Sequence, residues 1–310
     1  MTIDQFQLES PTGATLNVHA WRAAGRARGV VQINHGLAEH SARYGRFAAF
    51  LGERGYHAYA QDHRGHGHTR ADDAPPGRFA AADGADKVIA DVAAVHERIA
   101  AGHPGLPVIV FGHSMGGLIT MSFLQRHSAR VAAAAIWNAN FSAGALGNLA
   151  RAILAWEKFR LGSDVPSRIL PRLTFQAWAG RIPGRRTPFD WLSRDPAEVR
   201  KYIDDPLCGW DASVSMWQDV FRLIFAGADD AKVAAIRRDL PLNLVGGASD
   251  PATEGGKAVE TLAARLRRMG FSEFVSKVYP ETRHESLNEI NRNIVMDDFA
   301  DWLDRAIPPR

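Results

Sequence analysis

The feature that most constrains this chain is Gly112-His113-Ser114-Met115-Gly116. It lies between an apolar run, Val108 to Phe111, and a helix-like segment from Met115 to about His127. G-x-S-x-G in that context describes a tight strand-to-helix turn that lifts a serine hydroxyl clear of a sheet. Such a serine sits in strained backbone geometry. Gly112 and Gly116 place no side chain where strand and helix crowd together. Met115 opens the helix, so its N–H is aimed, with the helix dipole behind it, at charge developing near the serine. A Gly-Ser turn that merely links strand to helix would carry the same five letters. The preceding strand, the following helix and the extra Gly117 favour a nucleophile.

The 310 residues suit one large domain or a core with an insertion. Phe6 to Ser10 and Thr15 to Trp21 read as a hairpin around Pro11-Thr12-Gly13-Ala14. Strand-like runs follow at 30–34, 57–61, 108–111, 131–137, 240–247 and 273–279. Helical spacing marks 42–54, 83–101, 213–226, 254–269 and 288–306. This alternation predicts an α/β fold, a mostly parallel sheet with helices on both faces. In such sheets the functional loops leave the carboxyl ends of the strands.

The rhythm breaks between Phe141 and Asp211. The expected division is a core of residues 1–140 and 212–310, with 141–211 inserted as a helical cap. Residues 141–200 hold ten Lys/Arg against five Asp/Glu, so the insertion is the basic part of an otherwise near-neutral molecule. Two readings stand: an ordinary helical subdomain with a solvated basic face, or a lid whose apolar surface admits acyl chains and whose charge favours anionic interfaces.

A serine needs a base. His284 leaves a strand end near the C-terminus, and Asp250 leaves the strand before it. Ser114, Asp250, His284 is the order of nucleophile, acid and base in α/β-hydrolases. Glu281 and Glu285 are rival acids, but they are too close to His284 in sequence to leave a separate strand. A second oxyanion donor beside Met115 is expected from His35-Gly36-Leu37, with Leu37 N–H the candidate and His35 a brace. His63, His66 and His68 suggest a metal, yet no carboxylate or cysteine pattern completes one. Asp62 to Gly67 reads better as a structural turn, and neither metal nor cofactor is expected.

These residues resemble the monoacylglycerol lipase and lysophospholipase branch of α/β-hydrolases, grouped with the S33 serine aminopeptidases. The matching pieces are His35-Gly36-Leu37-Ala38-Glu39-His40 with Arg43-Tyr44, Asp62 to Gly67, Gly112 to Gly117, Ser249-Asp250 and Arg283-His284-Glu285. The resemblance implies an eight-stranded α/β-hydrolase sheet, a cap inserted after the sixth strand, the triad Ser114, Asp250 and His284, and a hole formed by Leu37 and Met115.

The favoured expectation is a serine esterase or lipase acting on a monoacyl lipid ester, with transient membrane or micelle contact through the cap. A peptidase or amidase, or a small-ester carboxylesterase, would use the same triad. A catalytically silent receptor on the same fold is the non-enzyme alternative. Epoxide hydrolase and dehalogenase chemistry is disfavoured, because it uses a carboxylate where this chain has Ser114. The formal charge of +3 is too mild to argue for nucleic acid. Without a signal-like N-terminus, an apolar run of membrane-spanning length or a second cysteine to pair with Cys208, a cytoplasmic setting is expected, with peripheral contact at membranes allowed. The tail, 307–310, is expected to fray.

Overall fold

The computed structural model describes residues 3–308; the end of the tail, Pro309 and Arg310, lies outside them. Eight strands form one sheet: β1 (Ile3–Glu9), β2 (Thr15–Trp21), β3 (Gly29–Asn34), β4 (Tyr56–Gln61), β5 (Val108–His113), β6 (Ala133–Trp137), β7 (Leu242–Gly247) and β8 (Phe274–Tyr279). Their order across the sheet is β1-β2-β4-β3-β5-β6-β7-β8. β2 runs antiparallel to both β1 and β4, and every other pair is parallel. The exposed edge strand β1 shows alternating burial, whereas β3, β5, β6 and β7 are buried throughout. That is why their sequences are near-continuous apolar runs. The α/β-hydrolase sheet and the expected hairpin are both present.

The helices are α1 (Gly45–Glu53), α2 (Gly84–Gly102), α3 (Met115–His127), α4 (Ala145–Leu161), α5 (Leu170–Leu173), α6 (Phe175–Gly180), α7 (Pro196–Asp204), α8 (Val214–Ala228), α9 (Asp230–Val233), α10 (Lys257–Arg268) and α11 (Arg292–Ala306). One face of the sheet packs Val88, Val92, Ile119 and Phe123 with Met216 and Val220. The other packs Phe47 and Leu51 of α1 against Phe299 and Trp302 of α11. There Phe111 and Trp137 meet edge to face with ring centres 4.9 Å apart. The buried Trp137 indole N–H donates to Asn243 Oδ1 at 2.7 Å, so this ring is buried with its donor satisfied.

Register positions the site. Gly112 lies beside Ile136 in the β5–β6 pairing, and Ile136 beside Leu244 in β6–β7. The residues that follow these strands therefore emerge together at one edge. Three helices begin differently from their periodicity. Ser41–Tyr44 is a tighter 3-10 turn ahead of α1. α10 waits until Lys257, because Pro251–Thr253 forms a 3-10 turn and Glu254, Gly255 and Gly256 all have positive φ. α11 waits until Arg292, because Glu289 is tied into hydrogen bonds with Arg194 N–H and Arg283 N–H.

Between β6 and α8 the chain leaves the sheet and forms α4 to α7. It re-enters through Ser213, whose hydroxyl caps α8 by accepting from Met216 N–H. Among the described residues no helix is long and apolar enough to cross a membrane.

At the turn after β5, a Cβ on Gly112 would collide with the Gly116 carbonyl, and one on Gly116 with the Asn34 carbonyl. Both obstacles are backbone and neither can swing away. Gly116→Ala is therefore expected to lose at least about 2 kcal/mol of stability through overpacking. Urea denaturation checks this; a midpoint equal to wild type would contradict it.

Candidate active site

Ser114 has φ 54° and ψ −119°, a conformation a non-glycine residue adopts only under constraint. The constraint is the contact of β5 with α3. Ser114 N–H donates to the Trp137 carbonyl at 2.8 Å, and Gly117 N–H and Leu118 N–H both return to the Ser114 carbonyl. The hydroxyl is left standing above the sheet.

The structure brings Ser114, His284 and Asp250 together. Ser114 Oγ and His284 Nε2 are 2.9 Å apart. His284 Nδ1 lies 2.9 Å from Asp250 Oδ2. Asp250 is fully buried and His284 nearly so. A carboxylate only accepts, so Nδ1 carries the ring proton and Nε2 is free to accept from the serine. Burial alone would raise the Asp250 pKa. The facing His284, with donors from Asn138 and Thr253, outweighs burial and holds that carboxyl below its ordinary value. Asp250 is also the cap of the 3-10 turn after β7, accepting from Ala252 N–H.

Sequence reasoning missed Asn138. It follows β6 with φ 51°, donates Nδ2 to Asp250 at 3.1 Å, and accepts from Ser286 at 3.0 Å. It thereby ties the acid loop to the base loop. Its position immediately after a strand was the available signal.

Leu37 and Met115 both face the pocket around Ser114. Among the described residues, neither main-chain N–H is committed to a main-chain carbonyl of a loop or cap. Gly36 N–H is held by Glu39 Oε1 at 2.6 Å. His35 braces the loop as expected. Its Nε2 accepts from His63 N–H at 2.9 Å, so Nδ1 carries the proton and donates to the Gly36 carbonyl at 2.8 Å.

The loop histidines make no metal cage. His63 and His66 are buried beside His35, with ring centres 4.4 and 5.1 Å from it. Burial pushes the pKa of His66 down to about 3, and His63 well down too. His68 instead donates its N–H to Asp62, which also accepts from Ser41 and Asn17, so the segment is a structural turn. Among the described residues one other group, His40, Asp205 and Cys208, has donor atoms within 4.8 Å of one another. There His40 Nε2 already bonds Asp205 at 2.8 Å, and burial holds the Cys208 thiol far above its usual range, so it stays protonated.

The rival acids have other partners. Glu281 is exposed and pairs with Arg194. Glu285 takes a two-pronged bond from Arg43, at 2.7 and 2.8 Å, and Arg43 also pairs with Glu39. The Arg43 guanidinium lies over the Tyr202 ring, 4.8 Å from its centre.

Residues 141–211 fasten both loops. Tyr202 O–H and Gly209 N–H donate to the Ala38 carbonyl at 2.9 and 3.0 Å. The Trp191 and Leu192 carbonyls accept from His284 N–H and Glu285 N–H. The same segment covers Ser114, enclosing a cavity of about 200 Å³. Its apolar lining includes Phe175, Trp178, Trp217, Val220, Phe221 and Ile224. Geometrically the assembly can deprotonate a hydroxyl, hold an oxyanion and seat an apolar chain.

Glu39 is buried. Burial would raise its pKa, but Arg43 and then His113 hold it well below the usual carboxylate range. A carboxyl depressed in the fold stabilises above its unfolded pKa and loses that contribution as pH falls through the folded value. Glu39→Gln is therefore expected to cost roughly 3 kcal/mol at pH 6, by leaving buried charge uncompensated. The gap to wild type should narrow below about pH 4. Urea titrations across that range measure it, and a gap that widens on acidification would refute the reading.

A family model described as serine aminopeptidase, S33, matches residues 25–291. The chain is 28% identical over 293 residues to a monoacylglycerol lipase of Mycolicibacterium smegmatis, covering 94% of this chain and 93% of that one. A solved lipase in its open form superposes with a TM-score of 0.84 at 26% identity, over 99% of this chain and 100% of that chain. A carboxyl esterase from Bacillus coagulans, in complex with glycerol, reaches a TM-score of 0.89 at 23% identity over 99% of each chain, a likeness of fold.

Proposed function

The chain belongs to the serine aminopeptidase S33 family of α/β-hydrolases, and from that premise we propose that it cleaves the carboxylic ester of a monoacyl lipid through an acyl-enzyme on Ser114. The observation that carries this is the 2.9 Å approach of Ser114 Oγ to a buried, carboxylate-backed His284 in a cavity with an aromatic and aliphatic lining.

In this reading His284 Nε2 takes the proton from Ser114 Oγ as the oxygen attacks the ester carbonyl. The oxyanion is received by the Leu37 and Met115 N–H groups. The tetrahedral intermediate collapses, His284 gives its proton to the departing alcohol, and water repeats the cycle to release the fatty acid. Asp250 keeps Nδ1 protonated and stabilises the imidazolium. Residues 141–211 act as the lid, and the apolar wall formed by Phe175, Trp178, Trp217, Val220, Phe221 and Ile224 takes the acyl chain.

The named relatives support the lipid class. Against an aminopeptidase stands the charge of the pocket. Its two carboxylates, Glu39 and Glu285, are both engaged by Arg43, which leaves neither free for a substrate ammonium. Ser114→Ala is expected to lower ester turnover at least about a thousandfold with the fold retained. A fluorophosphonate probe should label wild type and not the variant. A panel of short esters, long-chain monoacylglycerols, lysophospholipids and aminoacyl amides settles the class; preference for amides would refute the lipase reading.

The lid also carries an exposed apolar face, on which Arg160 stacks over Trp156. On α4, Leu146 is 82% and Phe159 90% exposed, with Leu149 and Trp156 also exposed. Arg151, Lys158 and Arg160 lie on the same helix. That pattern suits shallow seating on an anionic lipid surface. Leu146→Asp with Phe159→Asp is expected to reduce binding to vesicles containing anionic phospholipid about tenfold, and to leave hydrolysis of a short soluble ester unchanged. Equal vesicle binding by variant and wild type at low and high salt would count against it.

A further inference from the structure

We propose that His113, carried as an imidazolium, is a positioning residue that locks the oxyanion loop to the loop bearing His284; this rests on the serine-hydrolase reading above. His113 precedes Ser114 and lies between the substrate cavity and a smaller pocket lined by Glu39, Arg43 and Glu285. Its Nε2 is 3.0 Å from the main-chain carbonyl of His284. Its Nδ1 is 3.5 Å from Glu39 Oε1, the oxygen that also holds Gly36 N–H. A carbonyl and a carboxylate both only accept. A neutral ring protonated at Nε2 would satisfy the carbonyl but turn a bare lone pair toward the Glu39 carboxylate 3.5 Å away. The doubly protonated ring donates to the carbonyl and forms an ion pair with Glu39.

Charge balance agrees. His113 is buried. The groups facing it are Glu39 from the oxyanion loop, Arg43 and Tyr44 from the turn behind it, Arg46 from α1, and His284 and Glu285 from the base loop. Arg46 is spent on Glu198. Within the buried set, Glu39 and Glu285 supply two negative charges and Arg43 one positive. An imidazolium on His113 makes the set neutral, which a low-dielectric site favours. Burial would lower the His113 pKa, but Glu39 and the His284 carbonyl more than reverse this and raise it above the ordinary value.

The consequence is mechanical. Two bridges run from Glu39 to the base loop, one through His113 to the His284 carbonyl and one through Arg43 to Glu285. Glu39 in turn fixes Gly36, one residue before the Leu37 donor. The separation of oxyanion hole and base therefore depends on His113 keeping both protons. Loss of one should loosen that separation and reduce kcat, with little effect on acyl-chain binding.

The test is His113→Gln, which keeps a single side-chain donor. We expect kcat on a long-chain monoacylglycerol to fall at least about tenfold, as for a small misplacement of reacting groups, with KM within about twofold. Wild-type kcat should decline on the alkaline side as His113 deprotonates, and that decline should be missing from the variant. Side-chain 15N spectra of histidine-labelled wild type at pH 7 should show both His113 nitrogens protonated. A bare nitrogen on His113, an unchanged kcat in the variant, or identical pH profiles for the two proteins would each overturn the proposal. Failure of wild type to react with fluorophosphonate would instead remove the serine-hydrolase reading; the nitrogen spectrum keeps the two failures apart, because it reads the charge of His113 directly.

Discussion

The crowding of β5 against α3 is the constraint on which the site depends. Ser114 is held at positive φ because the chain must reverse within one residue, between a strand whose neighbours are all buried and a helix that starts at Met115. No side chain fits at Gly112 or Gly116 without striking backbone. The strain of ~1–3 kcal/mol is maintained by the surrounding core rather than by the turn itself. Phe111, next to the turn, is locked among Phe47, Trp137 and Phe299. A rigid sheet therefore sets the serine, and everything mobile must be registered to it.

Registration is a different problem, because the partners of Ser114 come from loops. Backbone packing does not fix a loop to a fraction of an ångström; buried polar bonds do, since breaking one strands a desolvated group. Asn138 joins the acid loop to the base loop through Asp250 and Ser286. Glu39 joins the oxyanion loop to the base loop through Arg43 and His113. Residues 141–211 add hydrogen bonds to Ala38, His284 and Glu285. The same segment thus lines the cavity and fastens the loops beneath it.

This division explains what could be read from sequence. The sheet was legible because β3, β5, β6 and β7 are continuous apolar runs with helices between them. The order Ser114, Asp250, His284 and the place of Leu37 were legible because strand ends are where such folds act. Helix starts were less so. Glu289 diverts the chain before α11 through bonds to Arg194 and Arg283, residues distant in sequence from one another. Asn138 and the pairing of Arg43 with Glu285 span more than a hundred residues, and no local pattern announces them.

Glu285 illustrates why a carboxylate beside a base need not be the base's partner. It directly follows His284, yet the chain bends there and the two side chains take different partners. Its carboxylate turns to Arg43, while the ring of His284 turns to Asp250 on the neighbouring strand end. The same separation keeps the charges of the site in two compartments. In the proposed mechanism Asp250, facing Nδ1, serves the proton transfer. Glu39 and Glu285 face Arg43 and His113, and tie the two loops together. With His113 charged as proposed, this second compartment is balanced within itself and would present no net negative charge to an oxyanion formed beside the Leu37 loop.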